Sequence, residues 1–206
     1  MSSRTSSPLI SWPKPSAVAE HRLQLPLSDK TIGELRAGDY VYLTGPVFAA
    51  RDAAHQRMVE ALARGDRLPV DLRGQVIYYV GPTPAKPGAV IGSAGPTTAA
   101  RMDAYTIPLL EAGLKGAIGK GGRGMEVREG FVKHRAVYFL AVGGAAALLS
   151  KHIVRSDVVA YEELGMEAIR LLEFEEFPAV VCNDIHGGDA LETGKAKWRR
   201  EATKST

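Results

Sequence analysis

One cysteine, Cys182, occurs in the 206 residues. A lone thiol forms no intrachain disulfide and cannot by itself hold a metal ion or an iron–sulfur cluster. It is consistent instead with a reducing, cytoplasmic setting. The five histidines are scattered without ligand spacing, so no metal site made by this chain alone is expected. No apolar run approaches the ~20 residues of a membrane span, and the N-terminus lacks a continuous apolar signal segment; no membrane association is predicted. Neither sign of charge is in large excess, since 26 Lys and Arg against 23 Asp and Glu leave +3. That is too little for nucleic-acid binding without a localised patch. The one candidate patch, Lys195, Lys197, Arg199 and Arg200 around Trp198, lacks a repeated aromatic platform. It reads as a solvated tail, and no nucleic-acid partner is predicted. No internal repeat is present.

What the chain does have is the make-up of one globular domain, 45% hydrophobic and 24% charged. Residues 1–20 are rich in Ser and Pro and read as a flexible leader. Residues 21–191 carry strand and helix patterns, and 192–206 form the basic tail. Alternation and β-rich runs predict strands at 21–27, 40–44, 75–80, 117–118, 136–142, 153–160, 171–174 and 179–182. The second is expected to end at Gly45-Pro46. Helical patterns cover 28–36, 49–64, 97–112 with a kink or early end at Pro108, 143–152 and 162–170. Strands alternating with helices indicate an α/β layered fold with a mixed sheet and flanking helices.

The informative polar residues sit at junctions. After the strand ending near Thr44, Arg51, Asp52 and His55 begin a helix, and Arg51 and His55 are four apart on one face; the plain alternative is a surface pair. In Gly92-Ser-Ala-Gly-Pro-Thr-Thr-Ala-Ala-Arg-Met-Asp103, the Gly95-Pro96 pair breaks the incoming strand. Thr97 or Thr98 can then cap a helix with Arg101 in its first turn. Unpaired N–H groups, hydroxyls and a guanidinium there suit a small carboxylate or phosphate, or make an ordinary helix cap. Gly119-Lys-Gly-Gly-Arg-Gly124 matches the spacing of a dinucleotide fingerprint, but no acidic residue stands about 20 positions on. Lys120 is followed by Gly121 and not Ser or Thr, so it is no phosphate-binding loop of the strand–helix type. What remains is Lys120 either as a fixed charge in a glycine-lined turn or on a flexible loop. Asp184 and His186 read as a turn capped by Asp, and Cys182 as a buried, inert thiol. Arg51, Thr97, Arg101 and Lys120 thus all fall at strand ends, where α/β folds place ligands. Three cations and a hydroxyl there suit a dianion.

Taken together, Arg51-Asp-Ala-Ala-His55, the stretch from Gly92 to Asp103, Gly119-Lys-Gly-Gly122 and Gly165-Met-Glu-Ala168 resemble the β subunit of the iron–sulfur hydro-lyases. That family comprises class I fumarase and L(+)-tartrate dehydratase. The resemblance extends over about residues 21–191, with the motifs in order. It implies a swivelling β/β/α domain and a partner α subunit whose cysteines bind a [4Fe–4S] cluster, the chain itself being inactive alone. It also implies that Arg51 and Arg101 bind substrate carboxylates, that Thr97 is the catalytic base and that Lys120 is a catalytic cation beside the substrate. The expected reaction is reversible hydration of a C4 dicarboxylate. Asp103 after Arg101-Met102 leans toward fumarate and (S)-malate, while His186-Gly187 has a tartrate-like look. A non-catalytic carboxylate-binding or assembly module on the same fold is the alternative of a different class.

Overall fold

The computed structural model describes residues 19–199. The leader, apart from its last two residues, and the tail beyond residue 199 lie outside them. Seven strands and six helices follow one another: β1 (Glu20–Gln24), α1 (Asp29–Glu34), β2 (Tyr40–Ala49), α2 (Asp52–Ala63), β3 (Val76–Tyr78), α3 (Asp103–Glu111), β4 (Gly116–Gly119), α4 (Met125–Lys133), β5 (Val137–Leu140), α5 (Ala146–Leu149), β6 (Ile153–Ala160), β7 (Ile169–Asn183) and α6 (Ala190–Trp198). Short 3₁₀ turns lie at Ala99–Met102, Ser150–His152 and Glu162–Glu167. The fold is mixed α/β with a mixed sheet and flanking helices.

Strands β1 to β5 run parallel in chain order. The long β7 runs antiparallel to β5, β6 and β2. The pairings β2–β3–β4–β5–β7–β2 therefore close on themselves, with β1 and β6 as side branches. Closure leaves each strand an inner and an outer face, and side chains alternate between them. Val76, Tyr78, Val137, Phe139 and Val181 point into an inner core with Phe174 and Phe177. Their neighbours Ile77, Tyr79, Ala117, Tyr138 and Cys182 point outward into a second core. There they meet Met58 of α2, Leu109 and Leu110 of α3, and Phe131 of α4. Burial of each such side chain stabilises by about 1.5–3 kcal/mol, so the two faces together explain why α2, α3 and α4 stay on the sheet.

Several boundaries differ from the sequence expectation. The strand expected to stop at Gly45-Pro46 continues to Ala49, because the break is absorbed as a bulge. Leu43 pairs with Phe177 and Gly45 with Phe174, so Glu175 and Glu176 together oppose Thr44. Gly45 has φ 117°, and a Cβ there would lie 2.9 Å from the Leu25 carbonyl, a conformation and a space that favour glycine. The same bulge joins the expected strands 171–174 and 179–182 into one β7, with Glu176 at φ 50°. The helix expected from Thr97 is a 3₁₀ turn from Ala99 and then α3, which continues past Pro108 to Glu111. The helix expected at 143–152 shrinks to α5 and a 3₁₀ turn. The one expected at 162–170 becomes 3₁₀ turns broken at Gly165, and Ile169 and Arg170 already belong to β7. Residues 192–198, expected as part of the tail, belong to α6, whose first amides are capped by the Asp189 carboxylate.

Candidate active site

The parallel strands deliver their C-terminal ends to one rim. β2 ends at Ala49, and two residues later Arg51 is the N-cap of α2. Beyond β3, the chain leaves at Tyr79 and returns at Thr97, which is stitched in between two strands. Thr97 N–H donates to the Tyr79 carbonyl (2.7 Å), and the Thr97 carbonyl accepts from Lys120 N–H (3.1 Å). Ala99 N–H in turn donates to the Lys120 carbonyl (2.9 Å). These bonds flank a parallel bridge between Thr98 and Lys120 at the ends of β3 and β4, and Thr97 is the residue just before it.

Neither threonine acts as a cap. Thr98 occupies the N-cap position of the 3₁₀ turn and makes no side-chain cap bond. The Thr97 hydroxyl has no hydrogen-bond partner among the described residues and is half-buried. Lys120 is exposed and forms no ion pair within the described residues. Its stem runs past Gly143, whose added Cβ would stand 3.4 Å from the lysine Cδ. Lys120, Thr98, Leu140, Val142 and Leu191 line an open depression of about 430 Å³.

Arg51 and Arg101 meet on one carboxylate. Arg101 Nε donates to Asp52 Oδ1 at 2.9 Å, and Arg51 Nε stands 3.6 Å from Asp52 Oδ2. Arg51 Nη2 also pairs with Glu167 Oε1 at 3.0 Å, while Glu167 Oε2 accepts from Ala53 N–H at 2.8 Å. Glu167 thus satisfies a free amide in the first turn of α2 and holds its arginine at once. Arg51 lies flat on Gly81, where any Cβ would come within 2.8 Å of Nη1. Three cations against two carboxylates leave one net positive charge, in place of the three unpaired cations that the sequence alone counts. No direct contact joins Lys120 to either arginine among the described residues. The segment Thr97–Arg101 links the two pairs.

His55 is not the surface residue of a pair. It is fully buried, and its Nδ1 donates to the Arg51 carbonyl at 2.9 Å, since a carbonyl can only accept. Its Nε2 is buried without a partner, and the ring packs edge-on against Tyr79 at 5.2 Å. Burial first, then the nearby Arg123 charge, push its pKa down to about 4, against the opposing pull of the Arg51 carbonyl and Asp52. The ring is neutral at pH 7.

Behind Lys120, the glycine-rich turn is anchored by a residue that sequence reasoning passed over. The Arg123 side chain is 0% exposed. It donates to Asp103 Oδ1 (2.6 Å), Thr106 Oγ1 (2.5 Å) and the Tyr79 hydroxyl (3.2 Å). Its guanidinium stacks near Tyr79, Phe131 and Tyr138. Burial alone would lower its pKa, but the Tyr79 oxygen and the Asp103 carboxylate more than offset this. The second Asp103 oxygen accepts from Gly124 N–H at 2.7 Å, at the start of α4. The signal available in the sequence was an Arg among glycines followed by a helix start, which does not name its buried partners. Asp184 makes the expected capped turn, accepting from the amides of Ala37, His186 and Gly188.

Comparison with known proteins gives a consistent picture. Residues 3–194 match the family described as Fumarase C-terminus. The putative L(+)-tartrate dehydratase subunit beta of Methanocaldococcus jannaschii is 39% identical over 81% of this chain and 88% of its own length. The L(+)-tartrate dehydratase subunit beta of Escherichia coli is 34% identical over 84% of this chain and 87% of its own. The aerobic class I fumarate hydratase of Salmonella typhimurium is 40% identical over 73% of this chain. The match spans only 26% of that longer protein.

Proposed function

Because this chain belongs to the Fumarase C-terminus family, we propose that it is the β subunit of a hydro-lyase that adds water to, or removes it from, a C4 dicarboxylate. Fumarate and (S)-malate are the leading pair. The observation that carries the reading is the convergence of Arg51 and Arg101 on Asp52, at the same strand ends as Thr97 and Lys120. The near full-length matches are to separate chains named subunit beta, which supports a hetero-oligomer with an α subunit. The same matches favour L(+)-tartrate as the second substrate reading. The closed strand circuit with helices packed on its outer face supports a swivelling β/β/α domain over residues 21–191. A cytoplasmic location fits the lone, buried thiol.

This chain's own donors do not fit a [4Fe–4S] cluster. Its single thiol is fully buried, and among the described residues no three His, Cys, Asp or Glu are grouped to hold a metal ion. We therefore assign the cluster to cysteines of the α subunit, and the steps given to this chain involve only its own side chains. Arg51 and Arg101 grip the substrate carboxylates, for which a planar fork is suited. Loss of the proton beside a carboxylate builds charge on that carboxylate, and fixed cations stabilise the charge as it develops. The Thr97 hydroxyl, without a hydrogen-bond partner among the described residues, moves that proton. A threonine is a poor base in water and needs a nearby cation to favour its deprotonated form. The unpaired Lys120, bridged to the next residue Thr98, is the cation of this chain assigned to that task.

The test is anaerobic purification with an α subunit carrying three cluster cysteines, followed by assay of fumarate, (S)-malate and L(+)-tartrate. Turnover of one of them is expected, and the isolated chain should be colourless and inactive. A complex that turns over none, or a stoichiometric cluster on the isolated chain, would overturn the reading.

A further inference from the structure

The two arginines do not stand alone: they are strung on a chain of carboxylates, Glu167–Arg51–Asp52–Arg101, that ties together three separate segments. Asp52 is the first residue of α2, Glu167 closes the 3₁₀ segment before β7, and Arg101 sits in the 3₁₀ turn before α3. Arg101 is held through Nε only, at 2.9 Å, so both of its terminal nitrogens remain for a ligand on a side chain that is 54% exposed. Arg51 presents its Nε edge to Asp52 and one terminal nitrogen to Glu167. The Arg51 Nε and Asp52 Oδ2 atoms are both buried and both lack a hydrogen bond, yet face each other at 3.6 Å. Two buried partners left without a hydrogen bond at that distance cost free energy.

We propose that Asp52 is a positioning residue that sets the direction and separation of the Arg51 and Arg101 guanidinium groups, and through that separation selects dicarboxylates by the distance between their carboxylates. This rests on Arg51 and Arg101 being the carboxylate binders. A side chain set against both cations fixes their spacing more firmly than two independent contacts would. Arg101 cannot rotate without breaking its charge-assisted bond to Asp52, and Arg51 cannot swing away without separating an ion pair. The opposite role is equally definite in its consequences. If Asp52 only occupies the arginines until substrate displaces it, its removal tightens binding.

The experiment compares wild type with Asp52→Asn in the complex with the α subunit, reading KM and kcat for the C4 substrate. Inhibition constants for malonate, succinate and glutarate supply the length series. Asp52→Ser, which shortens the arm, replaces the Asn variant if that one does not fold. The expected result is a rise in KM of about tenfold or more, kcat within about threefold of wild type, and a flattened preference for the four-carbon inhibitor. An unchanged KM with an unchanged length preference overturns the inference, and so does a fall in KM, which would make Asp52 a competitor. A wild-type complex with no turnover of any diacid overturns the functional reading and this inference with it. An active wild type with an indifferent Asp52 variant overturns this inference alone.

Discussion

At Arg101, charge and shape can be separated experimentally. The side chain is 54% exposed, and Asp52 is its one hydrogen-bond or ion-pair partner among the described residues, so Arg101→Lys should leave the melting temperature nearly unchanged. Activity of the complex should fall about tenfold to a hundredfold, since a lost charge-assisted contact is worth roughly 1.5–3 kcal/mol. Thr97→Ala is the companion measurement. Cutting a helix-capping Thr to Ala costs about 1 kcal/mol, but the Thr97 hydroxyl bonds no backbone amide among the described residues. The expected outcome is therefore a stable protein with little turnover, and a destabilised, active one would return Thr97 to a structural role. Cys182 gives a third check at this scale. It is fully buried, and burial first, then Asp189, push its pKa up to about 12. A thiol-specific reagent at pH 7 should leave the native chain unlabelled and label it fully once denatured. Rapid labelling of the folded protein would contradict the assigned burial.

Among the elements, the turn between β4 and α4 shows how composition misleads. Four glycines among the residues 119–124 allow a flexible loop, yet the turn is fastened from below by Arg123. Asp103 holds both the Arg123 guanidinium and the Gly124 amide. The loop that carries Lys120 and the helix α3 that follows Arg101 are thus one unit. Arg123→Met keeps much of the volume but strands the Asp103 carboxylate and the Tyr79 and Thr106 hydroxyls. Removal of one partner from a buried pair costs about 3–5 kcal/mol, so a fall of several degrees in melting temperature is expected. Hydrogen exchange at 120–124 should quicken in the same variant. Unchanged protection there would show that the backbone bonds of Lys120 to Thr97 and Ala99 hold the turn without help.

For the whole molecule, His55 links the site to acid stability. It lies where α2 packs on the outer face of the closed sheet, among Tyr79, Tyr105, Asp52 and Arg123. Its pKa is depressed from 6.5 to about 4 in the folded chain. Between those values the unfolded chain binds the extra proton, so stability rises with pH in that window. It is complete above pH 6.5 and is lost as pH falls toward 4. The total is roughly 3 kcal/mol, of which about 2 should disappear between pH 7 and 5. Denaturant unfolding at pH 7, 6 and 5 measures it. His55→Gln should flatten that dependence, and an equal slope in the variant would assign the acid sensitivity elsewhere. The fold around this histidine contains no helix long and apolar enough to cross a membrane among the described residues.

Much of this was legible in the sequence because it is local. Period-two alternation announced β1 and β6 to within a few residues, and the apolar run and Gly65 announced α2. Junction chemistry placed Arg51, Thr97, Arg101 and Lys120 at strand ends, and the motif order pointed to the family. What the sequence could not decide depends on residues far apart in the chain. Gly45-Pro46 looks like a strand end until Phe174 and Phe177 lie opposite and turn it into a bulge. Arg51 and Arg101 look like free cations until the fold brings Asp52 and Glu167 against them. Arg123 looks like a loop residue until Asp103, 20 positions away, and three aromatic rings enclose it. Propensity and periodicity report what a segment does with its own neighbours. Closure of the strands into a circuit sets which charges meet, and that follows from long-range pairing alone.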